Sequence, residues 1–173
     1  MEIYLIRHTT PELTPGLIYG RLDVPLTTTF GEELELIKTK LPENFDAVYS
    51  SPATRCTILA NEIDNKFVAD PRLTELHFGD WEGKTWDTVD QGALRIWMDD
   101  FVNVCVPGGE SMLDLKKRVE EFREDLIQKD HRKIAIVTHA GVIRMLLTLH
   151  RKSPLEDFFR IGVKYGDVVR ISI

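Results

Sequence analysis

Two short apolar runs set the tightest limit on what this chain can fold into. Ile3 to Ile6 in "IYLIRHTTPE" and Ile134 to Thr138 in "KIAIVTHAGVIR" are rich in β-branched residues, too short for a buried helix, and each is cut off at a histidine. "FDAVYS", Phe45 to Ser50, reads as a strand of the same kind, and "DVVRISI" closes the chain as another. Near-continuous apolar strands need cover on both faces. The intervening sequence supplies it. "SSPATRCTILANEI" offers Ser51 as a cap, Pro52 at the first helical position and a helix running to Ile63. "PGGESMLDLKKRVEEFREDLIQ" offers a cap at Ser111 and apolar residues at Met112, Leu115, Val119, Phe122 and Leu126, stepping by three and four. Gly141 leads into a further apolar helix. The alternation predicts an α/β fold, a three-layer α/β/α arrangement around a largely parallel sheet. With 173 residues, one domain over 1–173 is expected. The stretches Thr10 to Gly31 and Glu75 to Val106 have no such pattern and are the candidates for functional loops.

Charge narrows the partners. A net charge of −6 leaves no broad basic surface for a nucleic acid or an anionic membrane. No apolar run approaches the roughly 20 residues of a membrane span, and the opening is too short for a signal peptide, so a soluble cytoplasmic protein is expected. Cys56 and Cys105 lack metal-site or disulfide spacing and are expected as buried free thiols.

In open parallel sheets ligands gather beyond the carboxyl ends of the strands. Arg7, His8, Arg55 and His139 all fall at or just after such ends. Guanidinium forks match phosphate or carboxylate oxygens, and helix starts after Ser51 and His139 would add N–H groups and positive dipole ends. Taken singly, Arg55 reads as half of a surface ion pair and each histidine as a bystander. Two of only five histidines at strand tips, one behind an arginine, point instead to an anion pocket. His77, His131 and His150 read as surface or packing residues. No metal is expected, because the arginines repel a dication and no ligand spacing is present.

These residues also resemble the signature of the histidine phosphatase superfamily, the phosphoglycerate-mutase-like proteins. "LIRHTTPE", "GLIYGRLDVPLT", "VYSSPATRC", "LTELHFGDWEG", "PGGES" and "VTHAGVIR" match in order, from Ile3 to Arg144. The short chain and the "YGRLDVPLT" and "LHFGDWEG" segments look most like the α-ribazole phosphatase branch. The resemblance implies His8 as nucleophile through a phosphohistidine, and Arg7, Arg55 and His139 as ligands of the phosphoryl oxygens. It implies Glu75 as general acid, with Tyr19, Gly20 and the backbone at Ala140 lining the phosphate site. It implies no cofactor and a small-molecule phosphomonoester as partner, and it allows a homodimer. Thr9 stands where glycine is frequent, and "TTFGEELELI" lacks the usual Gln-Ala pair.

The chemistry agrees with these roles. A free imidazole is about three quarters neutral at pH 7, and two guanidiniums should push that fraction up. His139 helps most as a cation, which the same arginines oppose until phosphate arrives. A glutamate must hold a proton to act as acid, so activity is expected to fall toward alkaline pH. Glu82 is the competing acid. Trp81, Trp86, Trp97 and Phe101 read as packing or as a platform for a base-like aglycone. Alternative functions are a broad sugar phosphatase, a phosphoglycerate mutase and a non-catalytic phosphate-ligand binder.

Overall fold

The computed structural model describes residues 1–173. Five strands, β1 (Glu2–Arg7), β2 (Ala47–Ser50), β3 (Val68–Ala69), β4 (Lys133–Thr138) and β5 (Val168–Ser172), form one sheet in the order β3-β2-β4-β1-β5. β1, β2, β3 and β4 are mutually parallel, while β5 runs antiparallel to β1 at the edge. The helices are α1 (Phe30–Lys38), α2 (Thr54–Ile63), α3 (Gln91–Asp99), α4 (Met112–Ile127) and α5 (Ala140–Arg151).

The period of two along the strands divides the core. Ile3, Leu5, Ile134 and Ile136 face α4 and α5, joining Leu115, Val119, Phe122, Ile143 and Leu146. Ile6, Val48, Ala135 and Val137 face the other way, joining Leu34 and Ile37 of α1 and Cys56, Leu59 and Ala60 of α2. The three expected layers are present. Ser111 caps α4 through a reciprocal box with Asp114, and all five apolar positions of its predicted stripe are buried.

Three local expectations need correction. The α2 helix begins at Thr54 instead of Pro52, and Ser51 does not cap it; the Ser51 hydroxyl is engaged with His139. Cys56 is buried, but Cys105 is exposed, because it lies on a surface loop where its thiol meets the Val106 and Gly109 carbonyls. The irregular stretches contain helices: α1 begins at Phe30, and α3, capped by Asp90, lies inside Glu75 to Val106. Leu94 and Trp97 of α3 pack with Ile18, Trp81, Val89 and Val106 as a third apolar cluster.

Candidate active site

Strand register builds the site. Arg7 of β1 pairs with Thr138 of β4, so the next residues, His8 and His139, leave the sheet side by side. The His8 N–H bonds the Thr138 carbonyl at 3.0 Å, and the two ring centres lie 5.2 Å apart. On the other side of β4, Ser50 pairs with Val137, which brings Ser51 to His139 and starts the turn into α2 that carries Arg55. Three adjacent parallel strands thus end at one edge with Arg7, His8, Arg55 and His139 together.

Each imidazole has a defined proton. His8 Nδ1 lies 2.8 Å from the Thr9 carbonyl, which can only accept, so Nδ1 carries the hydrogen and Nε2 keeps its lone pair. Arg55 Nη2 donates to His139 Nδ1 at 3.3 Å, so His139 Nε2 carries the hydrogen and donates to Ser51 Oγ at 2.8 Å. Burial, with His8 only 1% exposed, lowers its pKa to about 3; Arg55 and then Arg7 add to the shift and the Thr9 carbonyl opposes it. Burial likewise holds His139 well below the ordinary range, followed by the influence of His8, Arg55 and Arg7. Desolvation therefore outranks the arginines in keeping both rings neutral.

The sign of the linked stability follows. Unfolded histidines take up a proton below about pH 6.5 while the buried rings resist it, so stability is full above that pH and falls toward pH 3. His8 alone should cost about 2 kcal/mol at pH 5 relative to pH 7. Urea unfolding at the two pH values measures it, and the drop should be smaller in His8→Asn.

The arginines have no carboxylate. Neither Arg7 nor Arg55 forms a salt bridge. Arg55, 1% exposed, grips the Gly20 carbonyl through Nη2 at 2.7 Å and the Leu22 carbonyl through Nη1 at 2.8 Å. Arg7 Nη1 donates to the Val163 carbonyl at 2.7 Å, and its Cζ lies 3.7 Å from the centre of the Tyr165 ring. Nε of both guanidiniums is buried without a hydrogen-bond partner. Two guanidiniums with buried, orphaned Nε donors create a demand that a tetrahedral oxyanion satisfies.

Tyr19 and Tyr165 join hydroxyls at 2.9 Å, Tyr19 packed by Arg55 and Tyr165 by Arg7 and His8. Burial and the Tyr165 hydroxyl raise the pKa of Tyr19, which stays neutral. Gly20 is at the site, where its carbonyl holds Arg55. Ala140 opens α5. Glu75 sits against that helix start: Oε2 accepts from the Gly141 N–H at 3.1 Å and Oε1 from the Leu76 N–H at 2.9 Å. A Cβ at Gly141 would come within 2.1 Å of Glu75 Oε1, so glycine there permits the approach. Part of the dipole end expected to face the anion is thus occupied by a carboxylate.

Sequence reasoning missed Ser51 as the partner of His139, the Thr9 carbonyl, Tyr165 and Arg118. Arg118 holds the Glu75 loop by donating to the Glu75 carbonyl at 3.1 Å while paired with Glu110. A loop tyrosine and an α4 arginine carry no local pattern that marks them. Phe78, three residues after Glu75 in the chain, lines a pocket of about 530 Å³ with Trp86, Leu94, Trp97, Met98, Phe101 and Phe159. Trp81 is buried behind it. Arg144, one turn past Gly141 on α5, links pocket and site: its Cζ is 5.9 Å from the Phe159 ring centre. Burial lowers the pKa of Arg144, with Glu75 opposing and Arg7 adding.

The family profile described as histidine phosphatase superfamily (branch 1) matches residues 3–173. The chain belongs to that superfamily. The Escherichia coli adenosylcobalamin/alpha-ribazole phosphatase is 30% identical over 176 residues, covering 96% of this chain and 87% of that protein. A Hydrogenobacter thermophilus protein provisionally named phosphoserine phosphatase 2 is 30% identical over 179 residues, covering 98% and 88%. The crystal structure of the alpha-ribazole phosphatase from Shigella flexneri superposes with a TM-score of 0.90 at 29% identity, covering 100% of this chain and 91% of that one.

Proposed function

We propose that this histidine phosphatase is a metal-independent phosphomonoesterase, with His8 as nucleophile and α-ribazole 5′-phosphate as substrate. The observation that carries the mechanism is the neutral His8 imidazole, its Nδ1 tied to the Thr9 carbonyl and its Nε2 lone pair left among two arginines without carboxylates. Arg7, Arg55 and His139 bind the phosphoryl oxygens. His8 Nε2 forms a bond to phosphorus as the ester P–O bond breaks, and the leaving oxygen takes a proton from Glu75. Water then attacks phosphorus, its proton passes to Glu75, and the N–P bond breaks to free phosphate and His8. Phosphatase-named relatives at 30% identity support hydrolysis.

The aromatic pocket lined by Phe78 and Trp86 supports a leaving group with a flat apolar base, which suits a cytoplasmic step in cobalamin biosynthesis. The pair that tests it is α-ribazole 5′-phosphate against ribose 5-phosphate, which lacks the base. A kcat/KM ratio of about 10 or more that shrinks in Trp86→Ala is expected, since base stacking contributes about 1–3 kcal/mol. Equal kcat/KM on both esters would remove the base from the assignment. One observation favours a second reading, a small carboxylate-bearing ester: the only side-chain hydrogen bond from Arg144 runs from Nε to the Ile161 carbonyl, which leaves its terminal amines for a ligand. A preference for phosphoserine over phosphoethanolamine, lost in Arg144→Met, would establish it.

A further inference from the structure

The structure gives Glu82 a task other than acid catalysis. Its side chain is 9% exposed and follows the short helical turn Gly79–Trp81. Oε1 accepts from the N–H groups of Phe78 at 3.0 Å and Arg21 at 3.1 Å. Oε2 accepts from the N–H groups of Arg21 at 3.1 Å and Leu22 at 3.0 Å. No lysine or arginine pairs with it and the only basic side chain within 4 Å is His77, its Nε2 at 3.9 Å, so the backbone, not a salt bridge, fixes this carboxylate. Four hydrogen bonds from three backbone N–H groups hold this carboxylate, two on each oxygen, whereas each oxygen of Glu75 accepts one.

The two segments it ties together are the two that position the chemistry. Residues 20–22 turn their 21 and 22 N–H groups to Glu82 and their 20 and 22 carbonyls to Arg55. Phe78 lies three residues after Glu75, on the loop whose Glu75 carbonyl Arg118 holds. The contact is close: a Cβ at Gly20, where φ is +31°, would come within 2.5 Å of Glu82 Oε1 and 2.8 Å of the Leu76 carbonyl. Any movement of the Glu82 carboxylate is therefore passed to both segments.

We infer that Glu82 is a positioning residue that fixes Arg55 and Glu75 relative to each other, so that phosphate binding and leaving-group protonation occur in one geometry. This rests on the roles proposed above for those two residues. Glutamine at 82 keeps one acceptor oxygen and turns an amide NH₂ toward an N–H donor, which should loosen the tie without removing either reactive group.

The experiment compares Glu82→Gln and Glu82→Asp with wild type on p-nitrophenyl phosphate, whose leaving group departs without a proton, and on a simple alkyl phosphate, which needs one. The comparison uses kcat/KM per mole of folded enzyme, because kcat/KM ends at leaving-group departure and excludes the later water attack that both esters share. The alkyl ester should slow by about 10- to 100-fold, in keeping with small displacements of reacting groups, and the aryl ester by clearly less. Inhibition by inorganic phosphate should weaken as Arg55 loosens. Equal losses on both esters, or unchanged rates and phosphate inhibition, would overturn the inference. Absence of alkali-stable phosphate trapped on the wild-type enzyme during turnover would instead fault the reading of His8.

Discussion

His8→Ala should lower kcat by roughly 10⁴-fold or more and leave no covalent phosphoenzyme, whichever monoester is used. The reason is specific to one nitrogen. With Nδ1 committed to the Thr9 carbonyl and the ring kept neutral by burial, Nε2 is the only unprotonated nitrogen on that side of the arginines. No other side chain can take its place: His139 has its Nδ1 on Arg55 and its Nε2 hydrogen on Ser51, and the Cys56 thiol beside it is pushed up to about 12 by burial. Phosphate should still bind to the variant, because Arg7 and Arg55 are untouched. Retention of wild-type kcat with no phosphate on the enzyme would point to direct attack by water.

Arg55→Ala is expected to cost 10²- to 10³-fold in kcat/KM, roughly the loss seen when one charge-stabilising donor is removed from a reaction site. Lysine should not restore it. The two terminal amines of Arg55 hold the Gly20 and Leu22 carbonyls and reach His139 Nδ1, a fork that one ammonium cannot reproduce. Steady-state kinetics on the alanine and lysine variants would check this; recovery of more than half the wild-type rate with lysine would show that charge alone suffices.

The parts of this molecule that could be read from the sequence are those written in local patterns. The strand tips at His8 and His139 could be located because an apolar run meets a titratable residue, and the parallel sheet then brings them side by side. The α4 stripe and the Ser111 cap are likewise local signals. Other features depend on tertiary contacts. β3 is a two-residue strand defined by its pairing with β2, and α3 is a nine-residue helix whose tryptophan joins a cluster built from distant loops. Ser51 reads as a helix cap because serine is a favoured cap; its hydroxyl does accept from the Ala53 N–H at 3.3 Å, but Ala53 is the N-cap and the same hydroxyl also accepts from the His139 imidazole. Glu75 and Glu82 differ little as letters in "LTELHFGDWEG". Their surroundings separate them: Glu75 meets the start of α5, whereas Glu82 is held by backbone amides on two loops.

The central claim is the covalent bond between His8 and phosphorus. The direct measurement is rapid quenching in alkali during turnover of a ³²P-labelled monoester, followed by peptide mapping of the label. The account predicts acid-labile, alkali-stable phosphate on the peptide containing His8, formed and lost fast enough to match kcat and absent from His8→Ala. Label on any other residue, or turnover with no label on the protein, would contradict it.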